Sequence, residues 1–348
     1  MPRLTVTRAL VPSHSEVDDA AEHAHYWQEL MRAWGAPLRN VHRPHYFPGC
    51  HPCSLSRSSV TSLGRSPYLV TLKSDGVRYA LFLTTRPGKD RAPVALMVDR
   101  SRHMYEVEVI APEAYFTRGT VLEGELVWRQ PDEQQLVFLV FDAVRVSGEL
   151  VTAHTFAQRL DAVERCTRFS VEIAALDAAD AENRVLEVDA IALTHFAPHV
   201  DMRPKQFVDR AHAAQLWHAR SGAEHRVDGL VLQRADAPYC FGTSRGGAAL
   251  KWKERVTVDL VGEADALRAA DGPITSALEG RQLVVAPSRI VGSGDTVVEY
   301  HVRVTKATVT LFALRTRPDK TTANGLTVVS AAVRDVVEAI TPEEVGGA

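Results

Sequence analysis

The sequence predicts an α+β fold of two units: an antiparallel-sheet domain over residues 1–256 and a smaller, strand-rich domain over 257–348. Three observations predict it. From Tyr68 to Val146 the signals are mostly strand: the runs YLVTL, YALFL, VALMV, MYEVEVI, TVLEGELVW and LVFLVFDAVRV are separated by short turn signals, as in an antiparallel sheet and not a βαβ series. Helical stretches gather outside that block. Beyond Val258 the strands shorten and the turns multiply, and VVEYHVRVTKATVTLFALRTR alternates like a pair of barrel strands.

Residues 14–35 read as a helix, with Ser13 or Ser15 as its cap and Gly35 as its stop. It belongs to an N-terminal helical extension, residues 1–40, that reads as a dock for a partner. A Pro- and His-rich stretch follows, Pro37 to Pro52. FAQRLDAVERC and KQFVDRAHAAQLWHARSG read as helices flanking the apolar RVLEVDAIAL, strands return at DGLVLQ and ALKWK, and SAAVRDVVEAITPEEV reads as one closing helix.

With 348 residues, 45% of them hydrophobic, the chain can bury two cores. A net charge of −3 provides no global field for nucleic acid, so any polyanion must be held by a local patch. The start, MPRLTVTRALVPSHSEVDD, lacks a signal-peptide pattern, and no apolar run reaches a membrane-spanning length. The expected setting is intracellular, in nucleus or cytoplasm, with no membrane partner. Four cysteines in so long a chain point to reducing conditions.

Of the 40 basic residues only 7 are lysine. A lysine here marks a place where an amine is wanted, since arginine cannot deprotonate. In PYLVTLKSDGVRYALFL, Lys73 ends one strand and Arg78 opens the next, with Asp-Gly between them as a hairpin signal. GELV places Glu125 in a strand, VFDAV places an acid after Phe141, VDGLVL places Asp228 at a strand mouth, and LKWK sets Lys251 and Lys253 on one face. Three carboxylates and three lysines at the ends of adjacent strands can hold a triphosphate and a divalent metal while an amine attacks phosphorus.

These segments resemble the ordered motifs of the covalent nucleotidyltransferases, and specifically of mRNA capping enzyme guanylyltransferases. KSDGVR is similar to the nucleophile motif KxDGxR, and LEGELVW, FLVFDAV, RVDGLVLQ and ALKWK follow in the family's order. FPGCHPCSLSR resembles its lead-in, MVDRSRHMY its DR-containing strand, and RTRPDKTTAN its last motif. The likeness covers roughly residues 40–330. Glu123 and Ala323 depart from the pattern, where many relatives carry Asp and Pro.

The resemblance implies a ligase- and capping-type nucleotidyltransferase domain followed by an OB-fold barrel. It implies that Lys73 attacks the α-phosphate of GTP, forms a lysyl-N–GMP intermediate, and passes GMP to a 5′-diphosphate RNA end. The cofactor implied is Mg²⁺ or Mn²⁺, and Glu125 and Asp228 are expected to bind the metal or the ribose and to keep the phosphates in register. Arg78 and Arg100 are expected at the sugar and phosphate edge, Phe141 under the guanine or, equally, in the core, and Lys251 and Lys253 at the α-phosphate. Lys205 is placed at the base edge or, equally, in solvent. Arg317, Asp319 and Lys320 are expected to close over the β- and γ-phosphates. An amine titrating near ~10.4 must lose its proton before it attacks, which costs roughly 4–5 kcal/mol at pH 7. Arg78, Lys251 and Lys253 are expected to lower the pKa of Lys73.

Two alternatives stand beside this reading. An ATP-dependent DNA or RNA ligase shares the chemistry, but RTRPDK and the Asp-Gly of RVDGLVL resemble capping enzymes. A catalytically dead binding module would lose the nucleophile or a carboxylate, and none is lost. His42, His45, Cys50, His51 and Cys53 have zinc-like spacing, but the cysteines fall within the lead-in motif. Cys53 lies too close to Arg57 for a cysteine-phosphatase loop. RNA triphosphatase and cap methyltransferase activities are therefore expected from other chains.

Overall fold

The computed structural model describes residues 15–36, 46–89, 91–107, 109–130, 135–167, 192–193, 200–262, 266–290, 294–318 and 320–347. Helix α1 (Ala20–Trp34) starts where the Asp19 carboxylate accepts from the Glu22 N–H at 2.8 Å, and stops at Gly35, whose φ of 67° suits glycine. The cap is thus Asp19, and Ser15 lies in a two-residue strand. The apolar face of α1 is not free for a partner. Tyr26, Trp27, Leu30, Met31 and Trp34 pack against Phe47, Phe82 and Leu96 of the chain's own core.

Helix α2 (Arg57–Leu63) opens with a capping box of Ser56 and Ser59. Strands β1 (Tyr68–Ser74), β2 (Val77–Thr85), β3 (Pro93–Asp99), β4 (Met104–Val107), β5 (Thr120–Trp128) and β6 (Leu136–Val146) follow, as the alternation predicts. After them come α3 (Phe156–Thr167), β7 (Val200–Pro204), α4 (Ala213–His218), β8 (Val227–Arg234) and β9 (Ala249–Lys253). The expected helix over 205–222 is broken. The Lys205 N–H bonds the Val140 carbonyl at 2.7 Å, extending β7 along β6, and only α4 and two 3₁₀ turns are helical beyond it. RVLEVDAIAL lies outside the described residues except for the short strand Ala192–Leu193.

Two sheets result. The larger runs β4–β3–β2–β5–β6, antiparallel throughout, with β7 parallel to β6. The smaller is built on β1–β8–β9, also antiparallel. β1 and β2, read from sequence as two arms of a hairpin, therefore belong to different sheets. Lys73 stands opposite Gly229 in one, and Arg78 opposite Glu125 in the other. The glycine of KSDGVR serves close approach: a Cβ on Gly76 would lie 2.4 Å from the Leu126 carbonyl oxygen.

Strands β10 (Thr257–Leu260), β11 (Gln282–Val285), β12 (Val298–Val304) and β13 (Thr308–Thr316) form a sheet in the order β10–β12–β13–β11. Helix α5 (Leu326–Glu338) covers it with Val329, Ala332 and Val333. β10 and β11 remain edges, so the described residues form no closed barrel of the kind expected. The closing helix is split. Ala339 adopts a left-handed conformation, and Thr341 caps a separate α6 (Pro342–Gly346) with proline at its start. Ile340 and Val345 then return to the first unit's core beside Leu63, Trp217 and Leu230. There the Trp252 indole donates to the Ile340 carbonyl at 2.7 Å, and Arg210 donates to the Val345 carbonyl at 2.8 Å.

Candidate active site

A cavity of about 780 Å³ is lined by residues of both sheets, including Lys73, Arg78, Arg100, Glu123, Glu125, Phe141, Lys205 and Val231, and by Pro318 and Thr321 of the second unit. Lys73 is the last residue but one of β1, beside the central strand β8. There the pairing slips between Val227 and Gly229, a bulge that re-aims Asp228. Gly229 makes the approach possible, since a Cβ there would meet the Trp252 carbonyl oxygen at 2.0 Å. One Asp228 oxygen lies 2.7 Å from the Lys73 amine and the other 2.8 Å from the Lys253 amine.

Charge follows from this geometry. Burial alone works against the Lys73 ammonium, but the Asp228 and Glu125 carboxylates outweigh it and hold its pKa above the usual lysine range. The expectation that neighbouring cations depress Lys73 is thus corrected, because the bulge puts a carboxylate between the lysines. Burial opposes the Asp228 charge, and Lys73 and Lys253 overcome it and hold that carboxyl low. Burial, then Lys253 and Lys73, push Lys251 down.

Lys205 is no solvated side chain. It is 8% exposed, donates to the Ser74 hydroxyl at 2.8 Å, and lies 3.4 Å from Glu125. Burial depresses its pKa, and the Lys73 charge adds to this. The Ser74 hydroxyl also meets a ring nitrogen of His225 at 2.9 Å. His225 and His51 are both pushed down to about 4, chiefly by burial.

Arg78 lies in the opposite wall. It pairs with the fully buried Glu123, donates to the Cys50 carbonyl at 2.5 Å, and stacks 5.2 Å from the Phe141 ring centre. Glu123 also accepts from the Tyr239 hydroxyl. Sequence reasoning treated Glu123 as a conservative departure and passed over Tyr239 and Arg159. Neither of those two stands in a run that marks it; the signal available was only a polar ring or cation at an otherwise apolar position. Arg100 lines the cleft, its guanidinium pushed down by burial and then by Arg78.

The last motif is only partly at the cleft. Pro318 and Thr321 line it, whereas Arg317 and Lys320 both pair with Asp259 of β10, and Asp319 lies outside the described residues. Among the described residues no group of three or more His, Cys, Asp or Glu could hold a metal ion. All four cysteines are free thiols, and His42 and His45 lie outside the described residues. No described helix is long and apolar enough to cross a membrane.

Residues 11–255 match the family described as "mRNA capping enzyme, catalytic domain". The chain is similar to the mRNA-capping enzyme subunit alpha of Schizosaccharomyces pombe, 24% identical over 86% of this chain and 79% of that one. It is similar to the mRNA-capping enzyme of Caenorhabditis elegans, 22% identical over 85% of this chain and 47% of that one. Other curated relatives it matches are spanned over about half their length or less. A solved mycobacterial DNA ligase D complexed with ATP and MES aligns over 79% of this chain and 96% of that one, with 14% identity and a TM-score of 0.42. The matched family covers well over half of the sequence and contains the whole lysine cluster, so the chain belongs to the mRNA capping enzyme catalytic-domain family and is a nucleotidyltransferase.

Proposed function

We propose that this chain is an mRNA guanylyltransferase that uses Lys73 as its nucleophile. The observation that carries the reading is the Lys73–Asp228–Lys253 cluster at the cleft, faced by Glu125 and Lys205. In the first step the Lys73 amine attacks the α-phosphorus of GTP. The nitrogen–phosphorus bond forms, the bond to the β-phosphate oxygen breaks, pyrophosphate leaves, and the lysine gives up a proton. In the second step an oxygen of a 5′-diphosphate RNA end attacks the same phosphorus and the lysine leaves as an amine. Before either, Asp228 must release Lys73, and a triphosphate competing for Lys253 and Lys251 favours that release.

We assign Phe141 and Val231 to the base, Arg78, Arg100 and Lys205 to nucleotide contacts, and Arg317, Asp319 and Lys320 to the leaving pyrophosphate. Glu125 and Asp228 fit a divalent cation of the Mg²⁺ type, which takes hard oxygen ligands from one or two carboxylates and completes its shell with phosphates and water. When bound, Mg²⁺ or Mn²⁺ stabilises charge at the α-phosphate. We also take the chain to divide near residue 256. The core of Val258, Leu260, Tyr300 and Val333 is separate from those of the sheets, and the OB-fold assignment rests on RTRPDKTTAN. RNA triphosphatase and cap methyltransferase steps are assigned to other chains, and the setting to the cell interior.

The test is covalent labelling. Incubation with each α-labelled nucleoside triphosphate and Mg²⁺ or Mn²⁺, followed by a denaturing gel, is expected to leave label from GTP only. Label carried from ATP alone would make the protein a ligase.

A further inference from the structure

Arg78 is fixed by groups from several separate segments. Its Nη1 donates to the Cys50 carbonyl and its Nη2 pairs with Glu123 of β5. Its guanidinium carbon lies 5.5 Å and 5.2 Å from the ring centres of Phe47 and Phe141. The Nε–H is buried without an acceptor, a donor left open in a residue that lines the cleft.

Behind Arg78 and Glu123 stands Tyr239, which is not among the residues lining the cleft. Glu123 gives one oxygen to Arg78, and its other oxygen accepts from the Tyr239 hydroxyl. Tyr239 is itself anchored. Its N–H bonds the Thr152 carbonyl at 2.9 Å, and the Arg159 guanidinium lies 5.3 Å from its ring centre. Arg159 is held by two bonds, 2.7 and 3.0 Å, to Asp142, which stands directly opposite Glu123 on β6. Two buried carboxylates, each with its own arginine, thus meet through one phenol. A carboxylate with both oxygens committed cannot rotate, and neither can the guanidinium it holds.

We propose that Tyr239 is a positioning residue for nucleotide transfer, acting through Glu123 to aim Arg78 at the bound nucleotide. This rests on the guanylyltransferase reading. Tyr239→Phe removes the hydroxyl and keeps the ring in its packing. The labelling assay, run over a range of nucleotide concentrations, should show an apparent KM raised about ten-fold with the maximal rate little changed. In an Arg78→Lys background the same substitution should cost nothing further, because the group it aims is gone. Nitrogen-15 spectra of the guanidinium groups give a readout that does not depend on activity. Arg78 should show separate, slowly exchanging Nη signals in the wild type and averaged ones in Tyr239→Phe. Should that variant fail to fold, Glu123→Gln is expected to give the same KM rise and the same averaging.

An unchanged KM with unmoved Arg78 signals would overturn the proposal. So would an equal loss in the wild-type and Arg78→Lys backgrounds. If the wild type takes label from no nucleotide, the transferase reading fails, while the Arg78 spectra still decide the positioning claim.

Discussion

Lys73, the proposed nucleophile, is held here as an ammonium, paired to Asp228 with a second lysine on the other side. Asp228→Asn should therefore lower the pH at which Lys73 titrates, read from the carbon-13 shift of its ε-methylene. It should also cut adduct formation about ten-fold or more, since the substitution removes a carboxylate from the site. Lys73→Ala and Lys73→Arg should both abolish the adduct, by at least about a thousand-fold, since arginine stays charged. In the wild type the rate of adduct formation should climb as pH rises into the alkaline range, because Lys73 is held above the ordinary lysine range before substrate enters. The histidines give the opposite end of the pH profile. His51 and His225 fall from 6.5 to about 4 on folding, so both states are neutral above 6.5 and only the unfolded state takes up protons just below it. Stability should decline as pH drops from 6.5 towards 4, and chemical denaturation at pH 7 and pH 5 should show the decline weakened in His51→Gln and His225→Gln.

At the scale of elements, two glycines fix the strands that carry this chemistry. Gly229→Ala would drive a methyl into the Trp252 carbonyl and should destabilise the protein by about 2 kcal/mol or more, measured by thermal or denaturant unfolding. Most strands of the first unit were legible because alternation is a local property, and so was the spatial grouping of Lys73, Glu125, Asp228 and Lys253, because a known motif order linked them. The hairpin reading of KSDGVR failed because Asp-Gly marks a turn but not the sheet each arm joins, and that depends on Gly229 and Glu125 far along the chain. The sequence leaves Lys205 open between the base edge and solvent because its burial beside Ser74 and Glu125 is announced by no local pattern. The single closing helix was misread for a nearer reason: Ile340-Thr341-Pro342 carries a cap and a proline inside an otherwise periodic run.

At the scale of the molecule, the second unit presents Pro318 and Thr321 to the cleft while Asp259 retains Arg317 and Lys320. Lys320→Ala should slow adduct formation about ten-fold and leave transfer from a preformed adduct unchanged, which rapid-quench measurements of the two steps would separate. Ile340→Ala should cost about 2–4 kcal/mol by unfolding, because that side chain anchors the returning tail in the first unit's core. That tail sets what movement is open to the rest. The strand-rich unit leaves the first one after Lys253 and is stitched back to it at Trp252, Arg57 and Arg210. Any widening of the cleft therefore has to work against both attachments, and loosening the rear one should change how far the cleft opens while leaving the residues that line it unaltered.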